Sequence, residues 1–235
     1  MAQRARKNSR RPAIGVTGNS KRFSPSWLCI RISLWLSGAR AIRIKIGDGT
    51  DLNGLAGMVI SGGDDIHPAL YGEEPQIGGR YDRERDTMET TCIDFALRND
   101  LPLLGICRGH QLINTVMGGS LHISLKTLRI QTSNAWSLLP KKKVSIEKTG
   151  RLATIVGKTC IVVNSLHSQA IAEVADRLSA VAFDDDHIIQ AIEAADDHAI
   201  LGVQWHPEYL CFLPTQLRLF RWLTAQAKNW ENQGA

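Results

Sequence analysis

The sequence has no pair of cysteines at a spacing that suggests a disulfide. Cys29, Cys92, Cys107, Cys160 and Cys211 are scattered and odd in number. That pattern argues against a disulfide-stapled secreted fold and for a reducing, cytoplasmic compartment. Nor is there an apolar run of membrane-spanning length; the nearest, WLCIRISLWLSGA, is too short and is interrupted by Arg31. The opening MAQRARKNSRRP lacks the apolar stretch and small-residue cleavage site of a secretory signal. It also lacks any acid, while Arg4, Arg6, Lys7, Arg10 and Arg11 account for the whole formal charge of +5. Without those five, the basic residues equal the 23 acidic ones, a balance that disfavours a nucleic-acid surface. Residues 1–11 are expected to be a disordered, solvated basic arm.

No internal repeat and no linker follow, so residues 12–235 read as one domain. At 235 residues and 43% hydrophobic content the chain can bury a full core. PAIGVTG reads as a short buried strand ending in a glycine turn, and 25–38 as an amphipathic helix opened near Pro25 and stopped at Gly38. ARAIRIKI alternates apolar and basic residues, which predicts a half-exposed strand. LAGMVISGG and LPLLGI are buried strands. Helices are expected over 84–99 and through RGHQLINTVMGG. HIIQAIEAADDHAILGVQW reads as two strands joined by an acidic turn, and 215–227 as a final helix. Residues 125–160 are the least readable, with short strands and a loop expected around Lys141–Lys143, and FDDDHII reads as a solvated hairpin entry. Strand–helix alternation predicts a mainly parallel sheet with helices on both faces.

In LLGICRGHQ, Gly105-x-Cys107-x-Gly109 stands where a buried strand turns into a helix. This is a nucleophile-elbow arrangement with sulfur in place of oxygen. The glycines permit a tight path and leave room for a substrate beside the thiol. The helix that follows favours the thiolate, and the N–H of Arg108 is placed to donate to an oxyanion. The Arg108 side chain either adds positive field or points into solvent. Taken alone, the motif is equally a structural turn. A thiol needs a base, and His206 in LGVQWHPE ends a buried strand, with Pro207 stiffening the step to Glu208. Cys107, His206 and Glu208 would follow the nucleophile–base–orienter logic of a triad. A second oxyanion donor is expected at Gly63 in VISGGDD, whose other role is a tight turn. His110 is expected to point away from Cys107. Asp64, Asp65 and His67 in GGDDIHP can be drawn as a metal site, but aspartates after a double glycine cap turns, and no metal is expected.

Together, SGGDDIHPALYGEEP, YDRERDTMETTCIDFAL, PLLGICRGHQLINTVMGGSLH, VNSLHSQAI and GVQWHPE resemble class I glutamine amidotransferases. More closely they resemble the γ-glutamyl-γ-aminobutyrate hydrolase (peptidase C26) branch, in order over about residues 12–225. The resemblance implies a flavodoxin-like three-layer α/β sandwich, a Cys107–His206–Glu208 triad, oxyanion donors at Gly63 and Arg108, and no cofactor. It also places Gln111 on the glutamyl group, and spacing of four residues independently puts Gln111 on the helix face of Cys107. His167 lines the pocket in this reading or makes a structural hydrogen bond. The family's His-His-Gln is LHSQ here, with Ser168 in place of one histidine.

The activity so implied is hydrolysis of a γ-glutamyl amide, such as γ-glutamyl-γ-aminobutyrate in putrescine breakdown, through a γ-glutamyl thioester. Two alternatives stay open. One is a glutaminase subunit feeding ammonia to a synthase partner, not favoured because no synthase domain lies within these residues. The other is a non-catalytic binder of γ-glutamyl metabolites. A small-molecule substrate is expected, with no membrane; a homodimer is left open.

Overall fold

The short apolar runs become strands buried on both faces, as their lack of polar alternation requires. In a computed structural model that describes residues 11–19, 24–47, 51–75, 81–125, 128–133 and 135–233, β1 (Ala13–Thr17), β3 (Gly57–Ile60), β4 (Leu103–Ile106) and β11 (Ile200–Val203) are buried throughout. The alternating run becomes β2 (Arg40–Ile44), a partly exposed edge strand. These five pair in parallel in the order β2-β1-β3-β4-β11. The same sheet continues with β10 (Ile189–Ala194), β9 (Leu178–Asp184), β6 (Ser137–Ile146) and β7 (Cys160–Ser165), all antiparallel. β5 (Ser120–His122) and β8 (Ala170–Glu173) form a separate two-stranded ribbon.

Helices cover both faces because successive strand residues face opposite ways. Val59 and Leu104 pack with Ile30 and Leu34 of α1 (Pro25–Leu36), Leu152 and Val156 of α4 (Arg151–Val156), and Leu219, Phe220 and Leu223 of α5 (Pro214–Gln233). Their neighbours Met58, Ile60 and Leu103 pack on the other face with Cys92 and Ile93 of α2 (Arg83–Arg98) and Leu112 and Ile113 of α3 (Arg108–Val116). The result is the expected three-layer sandwich. Local signals set the helix starts: the Ser24 hydroxyl accepts from the N–H of Trp27 ahead of Pro25, and Asp82 caps α2 by accepting from the N–H of Arg85. Among the described residues no helix is long and apolar enough to cross a membrane.

Four readings need correction or completion. Residues 1–10 of the basic arm lie outside the described residues, but Arg11 is not simply solvated; its guanidinium lies 5.4 Å from the ring centroid of Trp35. Residues 125–160 contain a ten-residue strand, β6, and the short helix α4, not a loop with short strands. Pro140 and three consecutive lysines hide the alternation of β6, in which Lys142, Val144 and Ile146 point inward. FDDDHII is not a solvated entry: Asp184 is buried and lies 3.3 Å from the Lys142 ammonium and 3.9 Å from the Arg129 guanidinium. The elbow glycines make room for backbone, not for substrate. A Cβ on Gly109 would stand 2.0 Å from the Ile60 carbonyl oxygen, and one on Gly105 2.7 Å from the His110 nitrogen.

Gly109→Ala therefore forces α3 away from β3 and should destabilise the fold by about 3 kcal/mol, the upper end for overpacking. Chemical denaturation of the two proteins measures this, and an unchanged midpoint would refute the packing role.

Candidate active site

The parallel strands end side by side, and their register decides which residues meet. Gly105 of β4 is level with Gly202 of β11 and with Ile60 of β3. The segments leaving these strands, Cys107, Gln204–His206 and Ser61–Gly63, therefore converge at the carboxyl edge of the sheet, where open α/β sheets place their crevices.

Cys107 occupies φ 52°, ψ −105°. A side chain other than glycine pays on the order of 1–3 kcal/mol for such a conformation, which the surroundings must hold in place. They do: the Cys107 N–H donates to the Val203 carbonyl at 2.8 Å, and its carbonyl accepts from Gln111 N–H at 3.2 Å, opening α3. The amide of Gln204 donates to Cys107 Sγ at 3.5 Å.

His206 is fixed at both its backbone and its ring. Asn164 at the end of β7 accepts from the His206 N–H at 2.8 Å and donates to its carbonyl at 2.9 Å. His206 Nδ1 lies 2.8 Å from Glu208 Oε1, which also accepts from the Ser26 hydroxyl at 3.1 Å. Because a carboxylate only accepts, Nδ1 carries the proton and Nε2 is left for Cys107. Burial opposes charging of the ring, yet the Glu208 carboxylate and the Cys107 sulfur outweigh it and hold the His206 pKa well above 6.5. Glu208 is wholly buried.

Arg108, left between field and solvent by the sequence, is buried and paired with Asp86 and Glu89 of α2. Glu89 also takes Arg85 Nε at 2.9 Å and the Thr17 hydroxyl at 2.7 Å. Arg85 in turn donates to the Gly62 carbonyl at 2.9 Å. Since that peptide is trans, the N–H of Gly63 points to the opposite side from Arg85. As the first residue of α3, Arg108 has one of the amides that a helix leaves without an intrahelical partner.

A cavity of about 340 Å³ opens over this floor, lined by Gly63, Cys107, Arg108, Gln111 and His167 among the residues expected at the site. Both amide hydrogens of Gln111 are committed, to the Gln169 carbonyl at 2.8 Å and to Gln204 Oε1 at 2.9 Å. Only its carbonyl oxygen is left to meet a ligand. For His167 both readings hold, since it lines the cavity and is bonded through both nitrogens. Arg129 Nη2 stands 3.1 Å from Nε2 and the Gln169 carbonyl 2.9 Å from Nδ1. A guanidinium only donates and a carbonyl only accepts, so the ring is neutral with its proton on Nδ1; burial pushes its pKa down to about 3.

Asp64 and Asp65 also line the cavity. Asp65 accepts from the Ser168 hydroxyl at 2.8 Å, and burial raises its pKa. Among the described residues no three His, Cys, Asp or Glu side chains are grouped to hold a metal. His67 accepts from the N–H of Ala69 and caps a 3₁₀ turn. His110 is buried, and a Cβ on Gly202 of β11 would stand 2.7 Å from its Nδ1. Asn164, Gln204, Ser26, Arg85, Asp86 and Glu89 received no role from the sequence. All but Ser26 stand inside quoted motifs, Asn164 in VNSLHSQAI, Gln204 in GVQWHPE and Arg85, Asp86 and Glu89 in YDRERDTMETTCIDFAL, so the motifs marked them without saying what they bond.

Two measurements test this construction. Glu89→Ala leaves two buried guanidinium groups short of a partner and should cost about 3–5 kcal/mol in urea unfolding; a cost below about 1 kcal/mol would reject the cluster as a structural element. The second is pH dependence. Burial holds His110 and His167 at about 3, whereas unfolded histidines bind protons near pH ~6.5. Their contribution to stability is complete above pH ~6.5 and is lost as pH falls toward about 3. His206, with its raised pKa, acts in the opposite sense as pH rises. Stability should therefore drop from pH ~6.5 to about 5, before ordinary carboxylates titrate. His167→Gln should shallow that slope, and an unaltered slope would refute the neutral, buried state.

A family model described as Peptidase C26 matches residues 45–208. A Schizosaccharomyces pombe protein named as a putative glutamine amidotransferase is 36% identical over 180 residues, 74% of this chain and 70% of the relative. Gamma-glutamyl-gamma-aminobutyrate hydrolase PuuD of Escherichia coli is 32% identical over 172 residues, 66% of this chain and 65% of that one. The match covers 65% and 59% of the Lactococcus lactis and Mycobacterium tuberculosis relatives, so the chain spans less than two thirds of those proteins. Among solved structures, a Thermoplasma acidophilum protein described as a putative GMP synthase component superposes with a TM-score of 0.68 at 21% identity, covering 96% of this chain and 98% of its own. That likeness extends over the whole sandwich and supports the fold. With the sequence match running from just after β2 to Glu208 in the 3₁₀ turn Pro207–Leu210, the chain belongs to the Peptidase C26 family of glutamine amidotransferase-like proteins.

Proposed function

We propose that the chain is a cysteine-dependent hydrolase of γ-glutamyl amide bonds, acting through a γ-glutamyl thioester, with residues 12–235 as its single domain. The observation that carries the reading is the strained Cys107 at the elbow together with His206, its Nδ1 proton committed to Glu208. Cys107 Sγ attacks the side-chain amide carbon as thiolate, and the oxyanion is held by the N–H groups of Gly63 and Arg108. As the C–N bond breaks, the His206 imidazolium protonates the departing amine. Water then gives its proton to His206 and attacks the thioester carbon; the C–S bond breaks and glutamate leaves. Glu208 stabilises the charged ring at each stage. Gln111 accepts from the α-ammonium of the glutamyl group, since only its oxygen is free to do so, and Asp65 adds negative charge nearby.

The relatives' names divide between hydrolase and glutamine amidotransferase, so free glutamine is the second substrate to test. The purified protein should release glutamate from γ-glutamyl-γ-aminobutyrate, and Cys107→Ala should abolish release. Glu208→Gln should lower kcat by on the order of 10⁴-fold, the usual cost of an orienting carboxylate. Release from glutamine alone, or only after a synthase is added, would replace the hydrolase reading by the glutaminase one. Silence on every amide with retained binding would make the chain a binder.

A further inference from the structure

Three buried glutamines are joined at the floor of the cavity. Gln111, Gln169 and Gln204 are each at most 3% exposed. A side-chain amide has a donating end and an accepting end, and inside a protein each end must meet its opposite. The bonds among these residues therefore have a direction, and it can be read from one fixed point.

The fixed point is the backbone carbonyl of Gln169, which only accepts. It lies 2.9 Å from His167 Nδ1 and takes the Gln111 amide nitrogen at 2.8 Å. Turning the Gln111 amide over would set oxygen against oxygen, so its nitrogen faces Gln169. The same nitrogen donates to Gln204 Oε1 at 2.9 Å. Gln204 is not free to turn over either, because two NH₂ groups would then face each other. Its nitrogen is thereby directed at Cys107 Sγ, 3.5 Å away. Register sets up this last contact. Val203 is level with Ile106 in the parallel pairing of β11 with β4, so the next residue on each strand, Gln204 and Cys107, stand side by side. An amide NH₂ donates and the sulfur accepts. Such a bond is roughly twice as strong to an anion as to a neutral acceptor, so it favours the thiolate.

The other end of this series lies in the cavity. Gln111 lines it, with both amide hydrogens committed and its oxygen left for a ligand. A donor placed there is connected to the sulfur through two amides, Gln111 and Gln204.

We propose that Gln204 is a catalytic residue and that Gln111 and Gln204 form a relay, in which the α-ammonium of the substrate donates to Gln111, Gln111 to Gln204, and Gln204 to the Cys107 thiolate. This rests on the γ-glutamyl amide reading above and deepens it. Each bond accepted by an amide oxygen makes that amide's own N–H a better donor, by on the order of 10–30% per bond. No proton moves along the relay. Positive charge at one end is felt as firmer stabilisation of negative charge at the other. The nucleophile is thus at full strength only beside a substrate that carries the ammonium, and part of the binding energy appears as reactivity instead of affinity.

His206, Tyr209 and Arg85 also act electrostatically on the sulfur. They are present whichever ligand is bound, so two ligands that differ only in the ammonium isolate its effect. Gln204→Met then separates the relay from attraction through space, because it keeps the length of the side chain and removes the amide. Where that variant does not fold, Gln204→Glu serves instead, since it keeps an acceptor for Gln111 and turns an oxygen toward the sulfur.

The first measurement follows the ultraviolet absorbance of the thiolate against pH, as the difference from Cys107→Ala. It is made with saturating L-glutamate and with saturating glutarate, which lacks the ammonium. L-glutamate should bring the midpoint lower by about half a pH unit or more, a threefold change in ionisation. The Gln204 variant should lose most of that difference. Equal midpoints with the two ligands in the unmodified protein, or a difference that survives in the variant, would overturn the relay. The second measurement is turnover of γ-glutamyl-γ-aminobutyrate and of the same amide without its α-amino group. The two should differ in kcat by about tenfold in the unmodified protein, the effect of one hydrogen bond to a charged group, and in the variant chiefly in KM. Losses that simply multiply would reject the relay while leaving the hydrolase reading intact. If no amide is cleaved, the hydrolase reading fails, and the absorbance titration still decides the relay.

Discussion

Glu89 lies where four parts of the molecule come together, and its carboxylate binds side chains from three of them. Thr17 reaches it from the end of β1, Arg85 from one turn earlier on α2, and Arg108 from the start of α3. Arg85 extends the contact to Ser61 and to the Gly62 carbonyl after β3. Two guanidinium groups and two carboxylates, all with almost no exposure, are a costly way to fill a core, since apolar residues of the same volume often do as well or better. What the cluster provides is position. Each of its bonds is directional, and between them they fix the peptide before Gly63 and the first turn after Cys107, the two places that supply the oxyanion donors in the proposed mechanism.

The same logic separates what was legible in the sequence from what was not. Period and punctuation show in a linear string, so the buried strands, the helix start near Pro25 and the hairpin around Asp196 and Asp197 could be read directly. The elbow and the His-Pro-Glu segment were legible because each packs its chemistry into a few adjacent residues. Asp184 was not. Its partners Arg129 and Lys142 lie some fifty and forty residues away, and an Asp-Asp-Asp run looks solvated until those partners arrive. β6 was hidden for a related reason: a lysine faces inward where alternation calls for an apolar residue, and Asp184 together with the Thr132 hydroxyl makes that tolerable. The side chain of Arg108 belongs with these, since nothing local to α3 announces Asp86 and Glu89.

The histidine at the site and the histidine above it illustrate that burial favours the neutral ring unless neighbouring negative charge outweighs it. His167 and His206 are both buried. His206 faces a carboxylate and a sulfur and is driven toward the charged form. His167 has no such anion: burial, helped by the Arg129 charge and opposed by the Gln169 carbonyl, drives it to neutrality. One is equipped to exchange protons, and the other serves as a fixed strut between the cavity and the Arg129 segment.

The positive φ of Cys107 has a consequence for how this chain tolerates change. The position is one that glycine occupies without strain, so replacing the thiol by hydrogen relieves backbone energy that the rest of the fold now supplies. With the thiol as the nucleophile proposed above, thermodynamic selection and functional selection pull in opposite directions at this residue. A library of variants sorted for heat resistance alone would drift toward proteins that fold well and have lost their sulfur.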